Sequence, residues 1–462
     1  MEALLAENRG AANVVKAHRA FWFVAIVGIA FAVGVWFEVS FLNGPWYWKW
    51  PWQNLGLLRT AGFCLLAAPP FVAAMVLIED KQRGRWHVPV TLLLLFDANV
   101  MLQIGGMLSH PDGFARLEAI VRSAVATSYF TDALSIGNVF TWLANFDPRS
   151  LTEHSMTHPP GPILFYYFWQ RMAGPLDAAS LGGAAVGLLA ACGIPVMYSF
   201  AGLWRDESNF RLRACALYAL SPALVVFLPE FDQVYPILSM AMLIGWAKSL
   251  DGDYRFAALF VGVLVVALLF AYNLLVVGSA LVFYSAYFVL ARRQGPPAWR
   301  RILVLAAVST LAVIAVFLLI WAATGYNAVL AFRHAIGAQA IFSTQMDRPY
   351  WFCLIFGPYD FFLGCGMIVL PLLVIYFYRL RGAWKEKEGV LSLIGLASLI
   401  VIDVSGLLPG ETARDWLFMQ PFVIVPAALV MGAFSTMQRL SLFFLQWCTV
   451  VVLTCKMAFI LP

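Results

Sequence analysis

Apolar runs long enough to cross a bilayer recur from residue 21 to residue 460, and that recurrence limits the fold more than any other feature of the chain. They lie near 21–37, 57–78, 88–107, 180–203, 213–229, 234–249, 256–270, 272–291, 301–323, 361–378, 390–408, 417–434 and 440–460, about thirteen spans in all. Hydrocarbon offers no water to backbone N–H and C=O groups, so each run must satisfy its own backbone as a helix. The expected fold class is therefore an all-α polytopic membrane protein of about 13 transmembrane helices. A soluble domain is excluded by composition: 62% of the 462 residues are hydrophobic and 12% are charged. Residues 1–20 are polar and the first apolar run is long enough to span, so no cleavable leader is expected. The seven cysteines lie mostly within spans and form no CxxC pair, so they read as small core residues.

Orientation follows from lysine and arginine in short loops. Residues 1–20, 79–87, 204–213, 248–255, 292–301, 379–388 and 435–439 hold roughly 20 of the 30 basic residues and about 10 of the 25 acidic ones. That side, with the N-terminus, is expected to be cytoplasmic. The RRQGPPAWRR and YRLRGAWKEKE loops are then orientation signals and need no nucleic-acid partner.

Two connections on the opposite, extracytoplasmic side are too long to be simple links: 108–179 and 324–360. They are expected to fold together over a cavity and to carry helices at the membrane surface. The first contains HSMTHPPGP, residues 154–162. Pro159 and Pro160 fix their own φ and hold His158 extended at the start of GPILFYYFWQRMAG. That apolar segment, 161–174, is short for a full span and is expected to be re-entrant, interfacial or packed in protein. Its entrance presents free N–H groups and a positive dipole end, which favour an anion. His154 and His158 have no third partner at metal-like spacing, so zinc is not expected. Upstream, FARLEAIVRSAV has helical apolar spacing, and SYFTDAL sets Asp132 beside Tyr129 and Phe130. Asp132 reads either as a helix cap or as a general base for a hydroxyl, with Asp112 the second candidate base.

The order of these features resembles the GT-C superfamily of integral membrane glycosyltransferases, particularly the protein mannosyltransferase and aminoarabinose transferase branch. The resemblance covers roughly 105–250: an acid-bearing loop ending in HPP, a short helix ending in RMAGPLDAAS, a small-residue span, and ALYALSPALVVFLPEFDQVYP. GETARDWLFMQP, 410–421, is similar to a further element of some bacterial members. The resemblance implies one GT-C-like domain over 1–462, with 21–78 an extra N-terminal helix pair, 88–250 the catalytic module and 251–462 variable helices. It implies transfer of a sugar from a polyprenyl-phosphate donor to a glycan, lipid or protein acceptor outside the cytoplasm. The implied reaction is an inverting single displacement assisted by a carboxylate base. The chain departs from the family in placing 21–78 before the loop-bearing span, in lacking an Asp-Glu pair after that span, and in having His158 where some members have lysine.

Further residues carry expectations of their own. Glu230 and Asp232, in PEFDQVYP, are candidates for acceptor binding or for a divalent cation. Arg414, flanked by Glu411 and Asp415, is a candidate phosphate clamp or a local ion pair. His158, His154, Tyr129, Glu411 and Arg348 join it as substrate-binding candidates, with Arg333 and His334 behind them. Asp97 and Asp403 fall inside spans, where acids are expensive, and carry the rival reading of a proton-coupled transporter or lipid-linked saccharide flippase. NGPWYWKWPWQN, 43–54, reads as an aromatic belt at an interface or as a sugar-stacking surface, and Glu38 before it as an outside candidate for the base.

Overall fold

The computed structural model describes residues 2–80, 84, 86–291, 298–380 and 386–461. Most of the RRQGPPAWRR and YRLRGAWKEKE loops lies outside the described residues. Among the described residues the chain is all-helical, and eight helices are long and apolar enough to cross a membrane, or nine if one bent pair counts as a span. The protein is a multi-pass integral membrane protein by helix length and hydropathy.

The count of about thirteen spans is thus too high. The apolar runs near 213–229, 234–249, 256–270 and 417–434 fold as helices Ser208–Ala219, Tyr235–Leu250, Arg255–Phe270 and Gln420–Met431, of only 12, 16, 16 and 12 residues. Pro222, Pro236 and Pro421 stand at breaks or helix starts, because proline lacks an N–H to continue the ladder. Three of these four short helices are buried nearly all round, so their hydropathy reports a protein core rather than a lipid contact. Helix Ala298–Thr324 is the opposite case, with a mean hydropathy of 3.0 and only 11% of its most apolar stretch buried.

The segment 161–174 forms a short helix, divided from the helix that runs on to Ala201 by Gly174, whose φ of 78° and ψ of 162° are not helical, just before Pro175. Arg122 closes that break by donating to the Pro175 and Leu176 carbonyl oxygens at 2.8 Å each. The bent pair Tyr350–Cys365 and Val369–Arg379 turns by 110° at Gly366, whose φ of 94° favours glycine. A Cβ there would also strike the Gln446 amide.

Helices that break inside a bundle free carbonyl groups that water cannot reach, and each needs a donor. Gln446 donates to the Leu220 and Cys365 carbonyls at 3.2 and 2.9 Å. Ser221 donates to the Gly364 carbonyl at 2.8 Å, Gln420 bonds the Ser221 hydroxyl, and Asn99 donates to the Ala219 carbonyl at 2.8 Å. These side chains hold the ends of helices Ser208–Ala219 and Tyr350–Cys365 and the start of Gln420–Met431.

The 109–160 connection folds as short helices. Phe114–Arg122 ends three residues before the apolar pattern does, at Ser123, whose backbone is extended. Its Leu117 and Val121 pack on Gly183 of the long helix. Ser128, not Asp132, stands at the N-cap of Tyr129–Leu134, so the capping reading of Asp132 is corrected. The two long connections do meet: helix Ala328–Gln345 packs against residues 148–150 and 155–157, and His334 Nδ1 lies 2.9 Å from Asp147 Oδ1.

Candidate functional site

Residues 410–416 form a tight loop because Asp360, on helix Tyr350–Cys365, holds it from below. Asp360 Oδ2 accepts from the Ala413 N–H at 3.0 Å and the Thr412 hydroxyl at 3.3 Å, while Oδ1 accepts from Trp50 Nε1 at 2.6 Å. Trp50 is buried, so this part of the tryptophan-rich stretch is a core strut; Trp46, 60% exposed, keeps the character of an interface residue. Glu411 adopts a left-handed backbone (φ 51°), uncommon for a residue with a Cβ and a recurrent mark of functional sites.

That conformation lets one carboxylate serve two guanidiniums. Glu411 Oε1 accepts from Arg348 at 2.9 Å and Oε2 accepts from Arg414 at 2.8 Å. Arg348 also donates to the Pro409 carbonyl at 2.5 Å and lies 4.8 Å from the Trp48 ring centre. Arg414 has three further acids around it: Glu230 and Asp232 at 3.7 Å and Asp415 at 3.6 Å. Four carboxylates therefore face two guanidiniums in a largely buried cluster.

The surplus of negative charge resolves through protons. Burial pushes Glu230 up to about 8, against the pull of Arg414. Asp232 rises to about 6 for the same reason, and Asp415 is driven in the same direction. Burial also works to raise Glu411, but Arg414 and then Arg348 outweigh it and hold that carboxyl below its usual value. Near neutral pH Glu230 thus carries a proton, and the cluster is closer to neutral than its formal charges suggest.

HSMTHPPGP closes the cluster from the other side. Ser128, itself left-handed (φ 52°), accepts the Ser155 N–H at 3.1 Å on its Oγ and so ties the Tyr129 helix to this stretch. His158 Nδ1 lies 2.8 Å from the His154 carbonyl oxygen. A carbonyl only accepts, so Nδ1 carries the proton and Nε2 is left as an acceptor. Burial pushes both imidazoles down to about 4, with Arg414 adding to the effect. The histidines are neutral, and His158 offers a lone pair rather than a positive charge to a ligand. The Tyr129 ring meets His158 edge to face at 5.4 Å and Phe231 at 5.8 Å. Burial first, then Asp232 and Glu230, hold the Tyr129 phenol well above its ordinary value.

Eight of the residues singled out in the sequence thus share one cluster: Tyr129, His154, His158, Glu230, Asp232, Arg348, Glu411 and Arg414. Two do not join it. The Asp132 carboxylate accepts the Thr152 hydroxyl at 2.7 Å and is occupied as a clasp within the loop. Asp112 is exposed on the turn after helix His87–Leu108, close to His110 and Arg116. His334 is engaged by Asp147, and Arg333 is exposed. Glu38 accepts from Lys456 at 2.8 Å. Asp97 and Asp403 lie on helices His87–Leu108 and Lys387–Ser405, with Asp403 placed against Gly357. Asp360 was missed because PYDFF ends the second long connection, where an acid passes for a surface residue. Its signal was the apolar helical pattern around it. Among the described residues no three His, Cys, Asp or Glu side chains are arranged to hold a metal ion.

A separate apolar cavity of about 440 Å³ is lined by Leu268, Tyr272, Val313, Phe317, Tyr326 and Phe332 among others, and by none of the cluster residues. Phe270, two residues before Tyr272, contacts Phe231 at 5.6 Å, and Phe231 separates Glu230 from Asp232. No protein-family model and no curated protein matches the chain.

Proposed function

We propose that this chain is a membrane glycosyltransferase that moves a sugar from a polyprenyl-phosphate donor to an acceptor hydroxyl, with its N-terminus cytoplasmic and its site on the opposite face. The observation that carries the reading is the buried arginine–carboxylate cluster, in a chain that also holds an apolar cavity walled by the exposed apolar helix Ala298–Thr324. A donor of this class has a charged centre and a long apolar tail, and needs both kinds of surface. Arg414 Nε is buried without a hydrogen-bond partner and supplies a donor for a phosphate oxygen. The leaving phosphate is a stable anion, so the reaction asks chiefly for a cation to hold it and a carboxylate to take the acceptor's proton. The resemblance of residues 105–250 to the GT-C superfamily points the same way.

Purified protein given radiolabelled polyprenyl-phosphate sugars and membrane extract should release free polyprenyl phosphate as label enters an acceptor. Movement of a solute along a proton gradient with every lipid-linked sugar intact would instead favour the transporter built on Asp97 and Asp403. Orientation is checked separately: a cysteine at exposed Glu153, next to His154, should label from the side opposite the N-terminus.

A further inference from the structure

Glu230 presents an unusual feature for a buried acid. The residue is 4% exposed, yet its Oε1 has no hydrogen-bond partner, and the nearest cationic atom, Arg414 Nη1, is 3.7 Å away. Buried carboxylate oxygens normally accept at least one bond, so an orphan one marks the place of a missing donor. A second orphan lies nearby: the Tyr166 hydroxyl is fully buried without a partner, and Tyr166 packs on Phe231 at 5.8 Å. The surroundings are aromatic. Phe231 touches Tyr129, Phe165, Tyr166 and Phe270. Asp132, by contrast, already has its donor in Thr152.

We propose that Glu230 is the group that takes the proton of the acceptor, and that the acceptor presents an uncharged hydroxyl to it. This rests on the glycosyltransferase reading above. The donor phosphate would sit on Arg414, and the orphan Oε1 beside it would receive the acceptor O–H. In the step, the acceptor oxygen forms its bond to the sugar C1 as the C1–O bond to phosphate breaks. The electron pair of that bond leaves with the polyprenyl phosphate, and the acceptor proton passes to Glu230. A base in this position must be ionised, so transfer should rise with pH as Glu230 loses its proton. The charged and titratable groups facing it are Arg414, Asp232, Glu411, Asp415, Tyr129, Tyr166 and Tyr235.

The test compares wild type, Glu230→Gln and Glu230→Asp in detergent, each with a donor-binding measurement and a transfer rate. Glu230→Gln should bind the lipid-linked sugar within about twofold of wild type and lose about 10²–10⁴ in transfer rate, while Glu230→Asp keeps part of it. The wild-type rate should climb between about pH 6 and 9, and that limb should vanish in Glu230→Gln. Should the glutamine variant fail to fold, the wild-type profile decides: a flat rate over that range overturns the assignment. Normal turnover by Glu230→Gln, or loss of transfer in Asp132→Asn alone, removes Glu230 from the role and leaves the glycosyltransferase reading standing. A wild type that consumes no lipid-linked sugar ends both.

Discussion

Replacing Arg414 by methionine keeps an apolar stem and removes the charge on which four carboxylates converge. In the native cluster Glu411 lies 2.8 Å from that guanidinium and Glu230, Asp232 and Asp415 lie 3.6–3.7 Å away. Arg348 can still neutralise Glu411. Glu230, held near 8, is already protonated at neutral pH, so the group most exposed to the loss is Asp232, at about 6. Stripped of its counter-ion, it must take a proton, at a cost of about 1.4 kcal/mol for each pH unit above its folded value of about 6. That puts the penalty at about 1.4 kcal/mol near pH 7 and about 3 kcal/mol near pH 8, the latter at the low end of the ~3–5 kcal/mol typical of breaking a buried ion pair from one side. Unfolding entropy of about 2.1 cal/mol/K per residue over 462 residues makes each kcal/mol worth roughly 1 °C. The apparent melting temperature in detergent should therefore drop by ~1–2 °C near pH 7 and ~3 °C near pH 8. The deficit should shrink toward about pH 5, where the carboxyls accept protons cheaply. The double variant Arg414→Met/Glu411→Gln should lose less than the sum of its parts, because one removed partner leaves the other nothing to compensate. A melting temperature unchanged near pH 8, or strict additivity, would refute the claim that Arg414 balances this cluster.

Glu230 links stability to pH in a fixed direction. Its folded value of about 8 exceeds the ordinary 4.5, so the folded state keeps a proton the unfolded state releases. The contribution is full below 4.5 and disappears as pH rises through about 8. Melting curves of wild type should fall more steeply over that window than those of Glu230→Gln, and equal slopes would contradict it. Asp132→Asn and Thr152→Val should each cost about 1–2 kcal/mol and should not add, since both remove the same 2.7 Å hydrogen bond; additive losses in a double-mutant cycle would show separate roles. Gly410→Ala should destabilise by at least about 1–2 kcal/mol, because φ is 77° and a Cβ would stand 2.9 Å from Arg348 Cζ. Retention of wild-type melting in that variant would mean that the 410–416 loop adapts.

Hydropathy by itself determined that this chain is all-helical and lives in a membrane, because satisfying a backbone in hydrocarbon leaves few other solutions for runs of this composition. It also marked most of the side chains that cluster, since an ionisable residue in a chain with 12% charge stands out wherever it occurs. The number of crossings was not legible. An apolar run buried by its neighbours, as in Tyr235–Leu250, reads the same as one bathed in lipid, as in Ala298–Thr324; only packing separates them. The partners of each acid were equally hidden. Asp132 is flanked by tyrosine and phenylalanine along the chain, but the partner of its carboxylate is a threonine twenty residues away. Asp415, Glu230 and Asp232 acquired their meaning from Arg414, and the distance of nearly two hundred residues between the two stretches is closed only by the fold. Side-chain chemistry is local and could be read along the chain. Charge balance depends on separations of a few ångströms across it, and those were decided by the tertiary structure.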